Sequence, residues 1–168
     1  MGEGQVVLGT LDATQDGRFA MRFTRTYTSP RDKVWRALTE TDLLSTWFDQ
    51  MIDYDNSRLD FTERASLYFV AKDKHLFPAQ HGRVTRVDPP RVLEYTRGSE
   101  VLRWQPAAPG NSASRLVLTV VVDLRGSAIA NAPHLHAALD RLHTTLTGRR
   151  SATADLNELQ RAYDRALG

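Results

Sequence analysis

No cysteine occurs among the 168 residues. That excludes disulfides, thiolate metal sites and a cysteine nucleophile, and it fits a reducing, cytoplasmic setting. No apolar run approaches the roughly 20 residues that span a bilayer. The opening residues lack a basic segment followed by a long apolar one, so neither a secretory signal nor a membrane partner is expected. The net charge is +2 and the pI about 9.1, with the positive charge nearly all arginine, spread along the chain and mixed with acids. Without a Lys/Arg run there is no stripe for nucleic acid, and none is expected as a partner. Gly-x-Ser-x-Gly, Walker, dinucleotide and His-Glu-x-x-His motifs are all missing, so nothing points to a hydrolase, kinase or dehydrogenase, and no cofactor is expected. Repeats and low-complexity tracts are absent too.

What is present is ordinary for one globular domain, 41% hydrophobic and 25% charged. The apolar run Gln5 to Leu11 and the alternating run Arg18 to Thr28, with Phe19, Met21, Phe23 and Tyr27 on one face, predict a strand pair within 5–28. "SPRDKVWRALTETDLLSTWF" then predicts two short helices within 30–48. Ser29 is the expected N-cap and Pro30 the first helical residue, with Asp32 favourable to the helix dipole. The "TETD" segment breaks the first helix and offers Thr39 or Thr41 as a cap for the second.

From 51 to 124 the pattern is of strands: one near Met51 to Tyr54, then Ser66 to Ala71, then a hairpin turning at Asp88-Pro89-Pro90, then "VLRWQP" and the long "SRLVLTVVVDL". A loop, "KDKHLFPAQ", precedes the hairpin. Pro133 is expected to open a long helix over 133–148, striped by Leu135, Leu139, Leu142 and Leu146, with Gly148 as its stop. A terminal helix is expected over 153–167. Strands joined by short turns pair antiparallel, and one sheet face needs cover, which the leucine-striped helix supplies. The reading is an α+β, helix-grip architecture: a curved antiparallel sheet wrapped around a long C-terminal helix, in one domain over 1–168.

Several blocks in this order resemble the SRPBCC (START-like, Bet v 1-like) superfamily, and within it bacterial proteins similar to the C-terminal domain of the activator of Hsp90 ATPase. They are "GTL" with "DGRFAMRFTRTYTSPRDKVWRALTETDLLSTWF", "GRVTRVDPPRVLEYT", "VLRW", "SRLVLT" and "HAALDRLHTTLTG". The resemblance implies a cavity between sheet and C-terminal helix that takes an apolar or aromatic small molecule. It implies no shared catalytic set, because the fold hosts many activities. The larger Hsp90 activators carry a further N-terminal domain for which there is no room before Arg18, which argues against a co-chaperone role. Many relatives read Gly-Trp-His where this chain has His134-Leu135-His136, and many have a histidine where this chain continues with Val120 and Val121. Both changes weaken a case for acid–base chemistry.

The candidate ligand-binding residues are Trp35, Trp47, Phe48, Phe69, Tyr95, Trp104, His136 and Asp140. At about 100° per residue, His136, Asp140 and His143 lie within about 60° of one another on the long helix, flanking its leucine stripe. They form a polar cavity rim, with Asp140 orienting His136, a solvated helix flank, or a metal pair, which would need a third ligand from elsewhere. Trp35 is expected in the core, whereas Trp47 and Phe48 are divided between core and cavity mouth. Phe69, Tyr95 and Trp104 form an aromatic floor if their strands turn them inward, a register the pattern leaves open. His75, His81 and Asp73 match no metal motif and are expected at the surface, so no metal site is expected.

The expected function is binding of a small apolar or aromatic ligand. The alternatives are a polyketide cyclase- or aromatase-like enzyme, which needs polar groups facing the cavity, and a protein-interaction module that contacts a chaperone or forms a homodimer.

Overall fold

The computed structural model describes residues 7–150 and 155–168. Gln5 and Val6 of the expected first strand, and Thr153 and Ala154 of the expected terminal helix, lie outside them. The chain opens with β1 (Thr10–Ala13) and β2 (Phe19–Tyr27), an antiparallel pair in which Thr10 faces Arg22. The first strand thus begins later than its apolar run suggested. The alternation in β2 is as expected: Met21, Phe23 and Tyr27 are buried, while Arg22, Thr24 and Thr26 are exposed.

Helices α1 (Arg31–Thr39) and α2 (Thr41–Leu44) follow. Pro30, not Ser29, is the residue before α1, and no side chain caps the helix. Ser29 is drawn into the body of the protein instead: it is buried, and its carbonyl accepts a hydrogen bond from Ser114 Oγ. Neither Thr39 nor Thr41 caps α2. Glu40, in extended conformation, separates the two helices.

The expected strand near Met51 to Tyr54 is only an isolated bridge, Ile52 to Ala71. The segment turns instead, because Asp53 takes the backbone and side chain of Asn56 and the hydroxyl of Ser57 as hydrogen-bond donors. Five strands complete the sheet: β3 (Ser66–Phe69), β4 (Gln80–Asp88), β5 (Val92–Arg97), β6 (Glu100–Ala107) and β7 (Ser114–Val122). The order is β1-β2-β7-β6-β5-β4-β3, antiparallel throughout. At Gly82 of β4, a Cβ would lie 1.9 Å from the Thr96 carbonyl oxygen. Only glycine permits that approach.

Helix α3 runs from Arg125 to Thr147, so Pro133 lies inside it rather than at its start. A proline removes the N–H that would bond the carbonyl four residues back and normally ends a helix. Here Ala128, Ile129 and Ala132 are buried along the first two turns, and their packing offsets that loss. The C-terminal stop is as expected, Gly148 with φ 72°. Helix α4 (Leu156–Leu167) is capped by Asp155, whose carboxylate accepts from the Asn157 N–H, and it buries Leu159 and Tyr163. α3 crosses the inner sheet face with Leu139, Leu142 and Leu146 buried, and Tyr27 donates its hydroxyl hydrogen to the Leu139 carbonyl at 2.9 Å. The architecture is the α+β helix grip.

Candidate functional site: a cleft at one end of the grip

The register places Phe69, Tyr95 and Trp104 inward, where all three are buried. They do not form an empty floor. Trp47 is 0% exposed and donates its indole N–H to the Ala37 carbonyl at 2.9 Å. Its ring meets Phe48 and Trp104 edge-on, with centroids 5.5 and 5.6 Å away. Trp104 in turn donates its indole N–H to the Tyr95 hydroxyl at 3.2 Å. Burial pushes the Tyr95 phenol up to about 12, so it stays protonated. Trp35, by contrast, is only half-buried at the edge of the core. Of the two tryptophans, Trp47 is the deeper anchor, although α2 ends at Leu44 and Trp47 and Phe48 stand in the turn after it rather than in the helix expected up to residue 48.

His136 and Asp140 lie on α3 on the side facing α4 and β2. His136 is 4% exposed, and its Nδ1 lies 2.8 Å from the Tyr163 hydroxyl of α4. Asp140 accepts from Arg25 Nη1 at 2.6 Å, while its other oxygen is 4.0 Å from His136 Nε2. Tyr163 therefore orients His136 more closely than Asp140 does. His143 is half-buried further along the helix.

A cleft of about 520 Å³ opens where the β5–β6 turn, the end of β3 and the segment after α2 approach the middle of α3. Of the eight sequence-derived candidates, Phe48 and Phe69 line it. Ile52, Val70 and Ala138 extend its apolar wall, and Met51, Phe77 and Leu156 lie at its mouth, 51%, 45% and 44% exposed. Exposed large apolar groups gathered at one opening are unusual for a soluble surface.

The polar part of the wall comes from residues that pattern reading passed over. Arg97 is the inward residue that follows Leu93 and Tyr95 along β5, and its side chain is 12% exposed. It donates to Asp49 at 3.0 Å, approaches Glu100 at 3.6 Å, and stands 5.8 and 5.6 Å from the rings of Phe48 and Phe69. Its Nε is buried without a hydrogen-bond partner. Burial alone would lower the Arg97 pKa, but the charges of Glu100 and Asp49 outweigh it and the net shift is upward. Arg141, one helix turn beyond Ala137, donates its Nε–H to the Trp47 carbonyl at 3.0 Å and also lines the cleft. The two-residue alternation from Leu93 was the signal that could have placed Arg97 inward. Nothing local marks Arg141, which depends on how α3 is rotated against the sheet.

Among the described residues no group of three or more His, Cys, Asp or Glu side chains could hold a metal ion, and no helix is long and apolar enough to cross a membrane. The wall can enclose an apolar body and stack a planar one beside Arg97.

The family model of activator of Hsp90 ATPase homolog 1-like proteins matches residues 28–125. Similar solved structures include a conserved protein of unknown function, EF2215 from Enterococcus faecalis, with 16% identity and a TM-score of 0.77 over 95% of this chain and 90% of that one. CalU16 from Micromonospora echinospora has 19% identity and a TM-score of 0.72 over 97% and 96%. The protein encoded by BPP1335 of Bordetella parapertussis has 20% identity and a TM-score of 0.66 over 99% and 96%. At these identities the likeness establishes the fold alone. A search of curated protein sequences found no match.

Proposed function

Because the chain belongs to the activator of Hsp90 ATPase homolog 1-like family, whose fold hosts many activities, we propose its function from the cleft: it binds a small apolar or aromatic molecule there. The observation that carries this is the pairing of a largely apolar wall with an exposed apolar mouth formed by Met51, Phe77 and Leu156. The volume, about 520 Å³, suits a ligand of a few fused or linked rings. Affinity comes from apolar burial at about 25 cal/mol per Å², and orientation from Arg97, Arg141 and Gln80. We read the protein as a single cytoplasmic domain. The cyclase-like alternative needs a free acid or base facing the ligand; both carboxylates beside Phe48 and Phe69 are engaged by Arg97, which leaves the exposed His134 of the cleft lining as the group that would have to serve.

The same exposed rim favours one second reading, that the mouth is a contact for a protein partner, either a chaperone or another copy of this chain.

The neutral dye N-phenylnaphthylamine tests the first reading. Its fluorescence should rise on binding and fall when aromatic compounds compete, and those compounds should raise Tm. Absence of dye binding, together with no shift in Tm from any member of a broad apolar and aromatic panel, overturns it. A mass that rises with concentration in light scattering, and falls with Phe77→Asp, supports the second reading instead.

A further inference from the structure

On the face of the sheet opposite the helices lies a second, shallow groove of about 610 Å³. Its floor is a row of residues in register across three strands, Thr24 of β2, Val117 of β7 and Gln105 of β6, with Val92 at the start of β5 also in the lining. Four arginines surround this row. Arg22 and Arg115 stand on either side along the strands, Arg91 lies at the β4–β5 hairpin, and Arg31 is the first residue of α1.

No acid lines the groove. Elsewhere the chain pairs its arginines readily: Arg18 with Asp123, Arg25 with Asp140, Arg97 with Asp49 and Arg103 with Glu94. Among the described residues the guanidinium groups of Arg22, Arg31, Arg91 and Arg115 have no ion pair and no side-chain hydrogen bond. The Arg31 Nε–H is moreover buried without an acceptor. Four like charges gathered around one depression repel one another, and a buried donor without a partner is costly. An occupant that carries acceptors relieves both.

The spacing selects the occupant. Arg22 faces Thr119, four residues from Arg115 along β7, so the two arginines are separated by about 13 Å along the strand direction. A single phosphate meets both guanidinium groups only if the two side chains bend towards each other, whereas two carboxylates at the same spacing each meet one arginine directly. An extended peptide repeats its side chains on one face every two residues, and residues four apart lie about 13 Å from each other. A segment with acids at the first and fifth positions and an aliphatic residue between them would set two carboxylates on Arg22 and Arg115, with the aliphatic group on Val117. Arginine and carboxylate match as paired donors and acceptors. No aromatic side chain lines the groove, so it offers no platform for stacked bases.

We propose that this outer sheet face docks an acidic, extended segment of a partner protein, independently of the cleft. The probe is a fluorescein-labelled peptide repeating Glu-Ser-Val-Ser-Glu, followed by anisotropy against the intact protein. Binding should weaken with added salt, and the double variant Arg22→Ser with Arg115→Ser should lose about tenfold or more in affinity. Both positions are exposed on the sheet, and retained N-phenylnaphthylamine binding in the cleft would show that the variant is folded. If dye binding is lost, the test is repeated with the single variant Arg115→Ser under the same criterion. Three results overturn the proposal: no peptide binding at low salt, equal affinity in the variants, or tighter binding of single-stranded RNA or pyrophosphate than of the peptide.

Discussion

The Tyr163 hydroxyl of α4 lies 2.8 Å from Nδ1 of His136 on α3, and the same oxygen accepts the backbone N–H of Gly9 at 2.9 Å. The hydroxyl either donates to Nδ1 or accepts from Nδ1–H, and in both tautomers it satisfies His136 and the Gly9 N–H together. One buried hydroxyl thus ties the terminal helix to the long helix and to the start of the chain.

Stability should fall on acidification. Burial, helped by the charge of Arg25 and opposed by Asp140, lowers the His136 pKa from 6.5 to about 4. The folded state therefore binds fewer protons than the unfolded state between those values. The contribution of His136 is present above about pH 6.5 and is lost as pH falls towards 4, about 3 kcal/mol in all. Urea midpoints measured from pH 7 to 4.5 should show this slope, and His136→Gln should flatten it.

Tyr163→Phe should destabilise the fold by about 1–3 kcal/mol, since it leaves the Gly9 N–H and His136 Nδ1 without a partner in a buried place. Denaturant unfolding reads this directly. Hydrogen exchange should also show faster opening of α4 than of α3.

Arg97→Ala should cost about 3–5 kcal/mol, because Asp49 and Glu100 then face each other without the cation between them. Arg97→Lys should recover part of the stability but not the planar stacking over Phe48 and Phe69. A loss of dye affinity in Arg97→Lys that exceeds its loss of stability would show that the guanidinium acts on the ligand.

Phe77→Asp should weaken N-phenylnaphthylamine binding about tenfold with Tm within a few degrees of wild type, since the ring is 45% exposed at the mouth. A similar change at the exposed Val7, which lies outside the cleft wall, should leave binding unchanged.

Local pattern carried the elements well where period and turn chemistry agreed. The alternation in β2 and β7, the hairpin at Pro89-Pro90 and the Gly148 stop were all legible. Pro133 misled because a proline inside a helix is unfavourable locally, and only the burial of Ala128, Ile129 and Ala132 against the body of the protein outweighs it. Ser29 misled for the same kind of reason: a serine before a proline reads as a cap, but the pairing with Ser114 takes its carbonyl into the sheet end.

The sequence by itself determined the kind of fold and the family, since hydrophobic period, turn residues and element order are local properties that survive in one dimension. Which aromatics meet one another and which meet a cleft was decided only by the tertiary structure. Trp47, Tyr95 and Trp104 close on each other, while Arg97 and Arg141 arrive at the cleft from elements far apart in the chain. The four arginines around the outer groove likewise come from four separate segments. Such groupings depend on strand register and on the rotation of α3 against the sheet, and both are set by long-range packing that no short stretch encodes.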